Sequence, residues 1–382
     1  MHAEGLSEAA ILAKLRQAKL KDLVYKDGKI LCSMCSTPNS IAIRARQMFL
    51  ESNLGDPKLF PGSAKLEKEA VATLNELLNG PASARGFIVS GGTEANLLAL
   101  YAVRNASKLA DPEVVVPESA HFSIEKICDM LKLKLIKAEL DDEYRVDPKS
   151  VEECINPRTV AIVGNAGSAE MGAVDPLGAL SKIALNHGLP LHVDAAFGGL
   201  VIPFLLELGY AAEEFDFSID GVHSITVDPH KMGLVPVPAG GILFRDGKSL
   251  QCIRTETPYL TEPFQCTFIG TRSGASAAAT WAAFESMGRE GFKEAVKHCM
   301  NVTIFLQMNL EEAGFRVLVK PTMNIVAFRA RKSRKLVSQL RQRGWYVSYV
   351  PRLDCVRVVL MPHTTKRHIT DFMQSLQKLC ET

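Results

Sequence analysis

Between Gly86 and Arg245 short apolar runs alternate with longer stretches whose apolar residues recur every three or four positions. "GFIVSGG" leads into "TEANLLALYAVRNASKL", and "EVVVPESAHFS" leads into "IEKICDMLKL". "TVAIVGNAGS" precedes "DPLGALSKIALNHG", after which come "LPLHVDAAFGG", "HSITVDPHK" and "AGGILFRDG". Val- and Ile-rich runs spaced by helices predict β-α-β units around a mostly parallel, buried sheet. Beyond a helical stretch that follows Gly270, "FRVLVK", "NIVAFRA", "WYVSYV" and "VRVVLM" read as further strands. A closing helix follows, with Ile369, Phe372, Met373, Leu376 and Leu379 on one face. The pattern predicts an α/β protein: an irregular, partly helical arm over 1–70, a large domain over 71–285, and a smaller C-terminal α/β domain over 286–382. The arm contains an amphipathic helix capped near Ser7.

At 382 residues the chain is long enough for this organisation, and 47% hydrophobic with 23% charged residues is ordinary for a globular protein. A net charge of +2 with no basic stripe does not point to nucleic acid, and "RARKSRK" (Arg329 to Lys335) reads as a solvated turn. No apolar run approaches a membrane span. Glu4 and Glu8 stand where a secretory signal would be basic, so a cytoplasmic protein is expected. Nine cysteines show no repeating pattern, and "CSMC" (Cys32 to Cys35) lacks the second pair or histidines of a zinc set. No metal is expected, and the thiols read as mostly free.

Ligands of a parallel sheet bind beyond the carboxyl ends of its strands, which selects Ser90–Thr93, His121, Ser168, Asp194 and Lys231 as neighbours. In "SGGTEANLLAL" a glycine turn opens an apolar helix. Gly91 and Gly92 allow close backbone approach, and such an N-terminus binds an anion such as phosphate, or is simply a capped helix. It is neither a Walker loop nor G-x-G-x-x-G. Asp194 ends an apolar strand and needs a partner, either nearby backbone amides or a cationic ring nitrogen. His121 is a satisfied core or surface histidine, or a group facing that site. Lys231, in "SITVDPHKMG", is a loop lysine in water or a desolvated amine able to bond a carbonyl carbon. An anion site, an acid partner, a histidine and an amine together match the needs of pyridoxal phosphate.

With "CSMCSTPNSIA", "NLGDPKLFPG", "SGGTEAN", "HVDAAFGG", "DPHKMG" and "TFIGTRSG", nearly the whole chain resembles the pyridoxal-phosphate-dependent group II amino-acid decarboxylases of fold type I. The archaeal L-tyrosine/L-aspartate branch is the most similar. That resemblance implies pyridoxal 5'-phosphate bonded to Lys231, with Asp194 on its ring nitrogen. It implies His121 and Ala196 on the two ring faces, and Gly91, Gly92 and Thr93 at the phosphate. Ser168 would approach the ring hydroxyl, with Asp228 and His230 completing the phosphate side. Many relatives have Asn at the position of Asp228. Thr271 would reach the phosphate of a partner subunit, implying a homodimer with shared sites. Arg357 would receive the substrate carboxylate, with Thr37 a second pocket residue and Tyr259 an open candidate for the proton donor.

The implied reaction is α-decarboxylation of an L-amino acid: tyrosine to tyramine for methanofuran, or aspartate to β-alanine for coenzyme A. Two other readings stand beside it. A fold-type-I cysteine desulfurase or sulfur transferase would carry persulfide on Cys32 or Cys266. A non-catalytic binding protein would keep the fold alone.

Overall fold

The computed structural model describes residues 4–380. Seven strands form the central sheet: β1 (Arg85–Val89), β2 (Glu113–Pro117), β3 (Lys134–Ala138), β4 (Thr159–Asn165), β5 (Leu191–Asp194), β6 (Val222–Val227) and β7 (Gly240–Phe244). Their order is β1-β7-β6-β5-β4-β2-β3. All neighbours from β6 through β3 pair in parallel, and β7 runs antiparallel to both β6 and β1. The exception has a simple cause. No helix separates β6 from β7, and a connection without a crossover returns the chain antiparallel. Val115, Ile162, Val193 and Ile225 are fully buried in the central strands, as expected of a sheet covered on both faces.

β3 is absent from the expected strands because "LKLKLIKA" continues the preceding helical run. Lys132 ends that helix in the left-handed conformation (φ 54°). β3 then lies at the sheet edge, its lysines turned outward as edge strands require.

A two-stranded hairpin follows, β8 (Thr255–Glu256) with β9 (Phe264–Gln265). The helix Gly274–Glu312 bends at Gly288, whose φ of 55° favours glycine. Before the bend, Ala279 and Ala283 pack on Ala42; after it, Val302, Leu306 and Leu310 enter a second core. That core sits on a four-stranded antiparallel sheet made by β10 (Arg316–Val317), β11 (Ile325–Arg329), β12 (Ser348–Val350) and β13 (Cys355–Val359), ordered β10-β11-β13-β12. The closing helix Lys366–Cys380 buries Ile369, Phe372, Met373 and Leu376 there. The basic run after β11 is only partly a solvated turn. Ser333 is buried and opens the helix Ser333–Gln342, so the last three residues of the run are helical.

The arm enters this second sheet. Leu31 donates its N–H to Tyr346 O at 2.8 Å, and Val359 donates to Leu31 O at 2.8 Å. Leu31 is completely buried, so the arm supplies a short strand-like segment and a core side chain. The helix Glu8–Lys19, capped by Ser7, buries none of its residues. No described helix is long and apolar enough to cross a membrane.

Phe204 is almost fully buried in the first core and stacks on Phe292 with ring centroids 5.8 Å apart. Phe204→Ala removes a ring from a packed interior and is expected to cost about 3–5 kcal/mol. A urea melt would show this as a lower midpoint with an unchanged slope.

Candidate active site

The carboxyl ends of β1, β2, β4, β5 and β6 open on one cavity of about 410 Å³. Ser90 to Thr93 reach it from β1, His121 from the loop after β2, and Asn165, Gly167 and Ala169 from β4. Asp194 and Ala196 follow β5, and Asp228, His230 and Lys231 follow β6. Met34 of the arm forms part of the wall. The side chains selected by the strand-end argument are therefore neighbours, with one exception taken up below.

Lys231 is not a lysine in water. Its Nζ lies 3.0 Å from Asp228 Oδ2, and Asp228 is 3% exposed. His230 Nε2 stands 3.7 Å from the same oxygen, while its Nδ1 donates to Ala239 O at 2.5 Å. The other Asp228 oxygen is buried without a hydrogen-bond partner. Asp228 thus occupies the place of the amide expected from many relatives and acts as counter-ion to the amine. A Cβ on Gly92 would sit 2.9 Å from Asp228 Oδ2 and 3.1 Å from Ala196 Cβ, so glycine is what lets the turn lie against both.

Asp194 has both a local backbone amide and a side-chain partner in the folded chain. Its Oδ1 accepts the Ala196 N–H at 3.1 Å, and its Oδ2 accepts from Asn96 Nδ2 at 2.7 Å. Behind Asn96 lie Thr226 Oγ1 at 2.6 Å and His192 Nε2 at 3.0 Å, both on Asn96 Oδ1. His192 Nδ1 is 2.8 Å from Ser224 Oγ. Burial pushes His192 down to about 4, against the opposing pull of Asp194.

His121 caps the helix Phe122–Leu131. Its Nδ1 accepts the Ser123 N–H at 3.3 Å, which leaves the proton on Nε2. Burial lowers its pKa; Asp194 and Asp228 oppose that shift, while Lys231 adds to it. It is therefore a neutral ring at the cavity wall.

Other expected residues lie elsewhere. Ser168 is 2% exposed, and its Oγ accepts the Ala173 N–H at 3.2 Å, leaving the cavity to its neighbours Gly167 and Ala169. Thr271 is exposed and lines a separate recess of about 150 Å³. Thr37 is half-buried outside the lining, and Tyr259 is 88% exposed beside the β8–β9 hairpin. Arg357 is buried on β13, donating to Cys32 O at 3.1 Å, with Nε unpartnered. Burial lowers its pKa to about 10, so it remains a cation at neutral pH. Cys32 and Cys266 are also outside the lining, and no described group of His, Cys, Asp and Glu could hold a metal.

Asn96, Glu94, Asn165 and Met34 were not anticipated. The available signals were positional: Asn96 is one helical turn beyond Gly92, and His192 shares a strand face with Asp194. Glu94 accepts the Ser90 N–H at 2.7 Å, and its Oε1 is buried without a partner.

The cavity can be tested against pyridoxal phosphate. The helix Gly92–Ala106 begins at Gly91 without a side-chain cap, leaving backbone donors and the helix dipole for an anion. Asp194 offers a carboxylate to a ring nitrogen, and Lys231 an amine to an aldehyde. The residues fit the cofactor, and a molecule with an aldehyde, a basic ring nitrogen and a phosphate uses all of them at once. The fold and site define a pyridoxal-phosphate-dependent enzyme.

The pyridoxal-dependent decarboxylase conserved domain matches residues 52–331, and the chain belongs to that family. A probable L-tyrosine/L-aspartate decarboxylase of Methanothermobacter thermautotrophicus is 50% identical over 93% of this chain and 98% of its own length. An L-aspartate decarboxylase of Thermococcus kodakarensis is 47% identical over 99% of this chain and 98% of its own. Among solved structures, a sphingosine-1-phosphate lyase of Burkholderia pseudomallei superposes with a TM-score of 0.93 at 28% identity, covering all of this chain and 92% of that one. The protein is a pyridoxal-phosphate-dependent amino-acid carboxy-lyase, and decarboxylation is favoured over sulfur transfer.

Neutral, buried His192 makes the fold sensitive to acid. The unfolded chain takes up a proton on this histidine near pH 6.5, while the folded chain refuses it until about 4. Stability from this group is present above 6.5 and is lost as pH falls to about 4, by up to roughly 3 kcal/mol. Denaturant melts of wild type and His192→Gln should diverge in this window, the variant losing less stability on acidification.

Proposed function

We propose that this chain α-decarboxylates L-aspartate to β-alanine, a coenzyme A precursor, and accepts L-tyrosine as a second substrate. The observation that carries the reading is the ion-paired Lys231–Asp228 amine facing Asp194 and His121 across one cavity at the strand ends. Aspartate is the substrate common to the names of both archaeal relatives; tyrosine, which would give tyramine for methanofuran, is named in one.

In this reading Gly91, Gly92 and Thr93 hold the cofactor phosphate by backbone donors, with His230 beside them. Asp194 takes the ring nitrogen, and His121 and Ala196 confine the two faces. When bound, pyridoxal phosphate supplies an electron sink for the pair left on Cα as carbon dioxide departs. Lys231 would supply the amine that bonds the cofactor aldehyde, and when free it stands beside Asp228. There its ammonium holds a proton at Nζ within the cavity, and Asp228 fixes its direction. Arg357, with an unpartnered Nε, receives a substrate carboxylate, and Thr37 lies on the arm segment beside it. Orientation is the main contribution of these groups.

The catalytic form is proposed to be a cytoplasmic homodimer. Leu6, Ile11, Leu12, Leu15 and Leu20 on and around the first helix are exposed, an apolar surface that a second copy would cover. Thr271, outside the cavity of its own chain, would then serve the partner's phosphate, and Ser168 would reach the ring hydroxyl after a rotamer change. Unpaired thiols throughout the described chain suit a reducing compartment. The division into an arm (1–70), a large domain (71–285) and a small domain (286–382) belongs to the same proposal.

Labelled carbon dioxide release should be fastest with L-aspartate, slower with L-tyrosine, and at least about a hundredfold lower for Lys231→Ala. Full activity in that variant, or sulfide release from cysteine in its place, would end the proposal. Arg357→Gln should lower kcat/KM about tenfold or more through the lost charged hydrogen bond. Light scattering should give twice the 41.7 kDa chain mass.

A further inference from the structure

We propose that Asn96 is a positioning residue for the cofactor, fixing the Asp194 carboxylate on the ring nitrogen through a buried relay that ends at His192, Thr226 and Ser224. The inference rests on the reading of Asp194 as the ring-nitrogen partner.

The hydrogen bonds leave Asn96 one orientation. Thr226 Oγ1 and His192 Nε2 both approach Asn96 Oδ1, at 2.6 and 3.0 Å. A hydroxyl can donate and a neutral imidazole donates from one nitrogen, so both donors converge on the amide oxygen. The His192 proton is then on Nε2, and Nδ1, 2.8 Å from Ser224 Oγ, accepts the serine hydroxyl. With its oxygen filled twice, Asn96 must turn its NH₂ toward Asp194 Oδ2, which it meets at 2.7 Å. Asp194 Oδ1 is fixed separately by the Ala196 N–H. The carboxylate is held at both oxygens, so neither rotation about its χ2 nor a slide along the strand is open to it.

The cost of this arrangement argues for a purpose. Asn96, His192, Ser224 and Thr226 are each at most 3% exposed, in a region where apolar side chains would pack without any partner requirement. The relay spends four polar side chains to orient one carboxylate that lines the cavity. A ring nitrogen needs its acid partner at a set height and angle, and a charged hydrogen bond loses strength steeply when misaligned. Asn96 itself also lines the cavity, one helical turn beyond the glycine at the anion site, so a single helix sets both ends of the ligand.

The test compares two ligands on the full-length protein, stripped and reconstituted: pyridoxal phosphate and its deaza analogue, in which carbon replaces the ring nitrogen. Both keep the aldehyde and the phosphate, and binding is read by absorbance titration, independent of turnover. Asn96→Asp keeps the shape but sets an oxygen against Asp194 Oδ2. Its affinity for pyridoxal phosphate should fall about tenfold or more, while its affinity for the deaza analogue changes less than about twofold. Thr226→Val, which removes one of the two donors on Asn96 Oδ1 and preserves volume, should give a smaller loss, about threefold, with the same ligand selectivity. Equal losses for both ligands would mean a packing role and would overturn the proposal, as would unchanged affinity for pyridoxal phosphate in both variants. Wild type binding the two ligands equally would instead overturn the assignment of Asp194 itself.

Discussion

Ionised carboxylates have to be kept at the ends of strands that are otherwise apolar, and the local structure follows from how each is satisfied. Asp194 and Asp228 end β5 and β6, and they are 8% and 3% exposed. A carboxylate stripped of water is tolerable only with donors or a counter-charge in place. Asp194 receives amide donors, one from its own turn and one from Asn96. Asp228 instead receives cations, from Lys231 and at longer range His230. These two solutions determine what surrounds them. The helix after β1 must bring Asn96 to one carboxylate and must carry glycine where it passes the other. The β6–β7 connection must turn just after Asp228 to place the Lys231 amine beside it.

Much of this was legible in the chain. The strand-end rule needs only the positions of apolar runs and of the polar residues that follow them, and it led to Lys231, Asp194, His121 and the glycine turn. β3 escaped because its alternation of lysine and leucine merges with a helical run, and only the left-handed Lys132 marks the break. Asn96 escaped for another reason. An amide within a strongly apolar helix has no periodic signature, and its partner lies ninety-eight residues away at the end of a strand. Thr271, Thr37 and Arg357 came from family resemblance rather than from pattern, and Ser168 came from the strand-end rule. One folded chain by itself places none of these four in the cavity lining. Thr271 lines a separate recess, and Arg357 is on the other sheet, relations that local patterns do not carry.

The two sheets therefore divide the work. The large one carries Asp194, Asp228, His121 and Lys231 beyond the ends of its strands, where they line the cavity. The small one holds the buried guanidinium, tied to the arm by the Cys32 carbonyl. Met34, two residues further along the arm, joins the wall of the cavity. The buried guanidinium is thus mounted apart from Lys231, Asp194 and His121, which line the cavity.

The threading of Leu31 between Tyr346 and Val359 has a bearing on how the protein comes into being. During synthesis the first thirty-odd residues leave the ribosome long before their pairing partners exist. The strand carrying Val359 is made more than three hundred residues after Leu31. The wall containing Met34 is accordingly finished only when the arm meets the second sheet. Until that moment the large sheet can be complete while the cavity stands open on one side. Contacts of such long sequence separation slow folding, and here they link the wall of the site to the second sheet across more than three hundred residues.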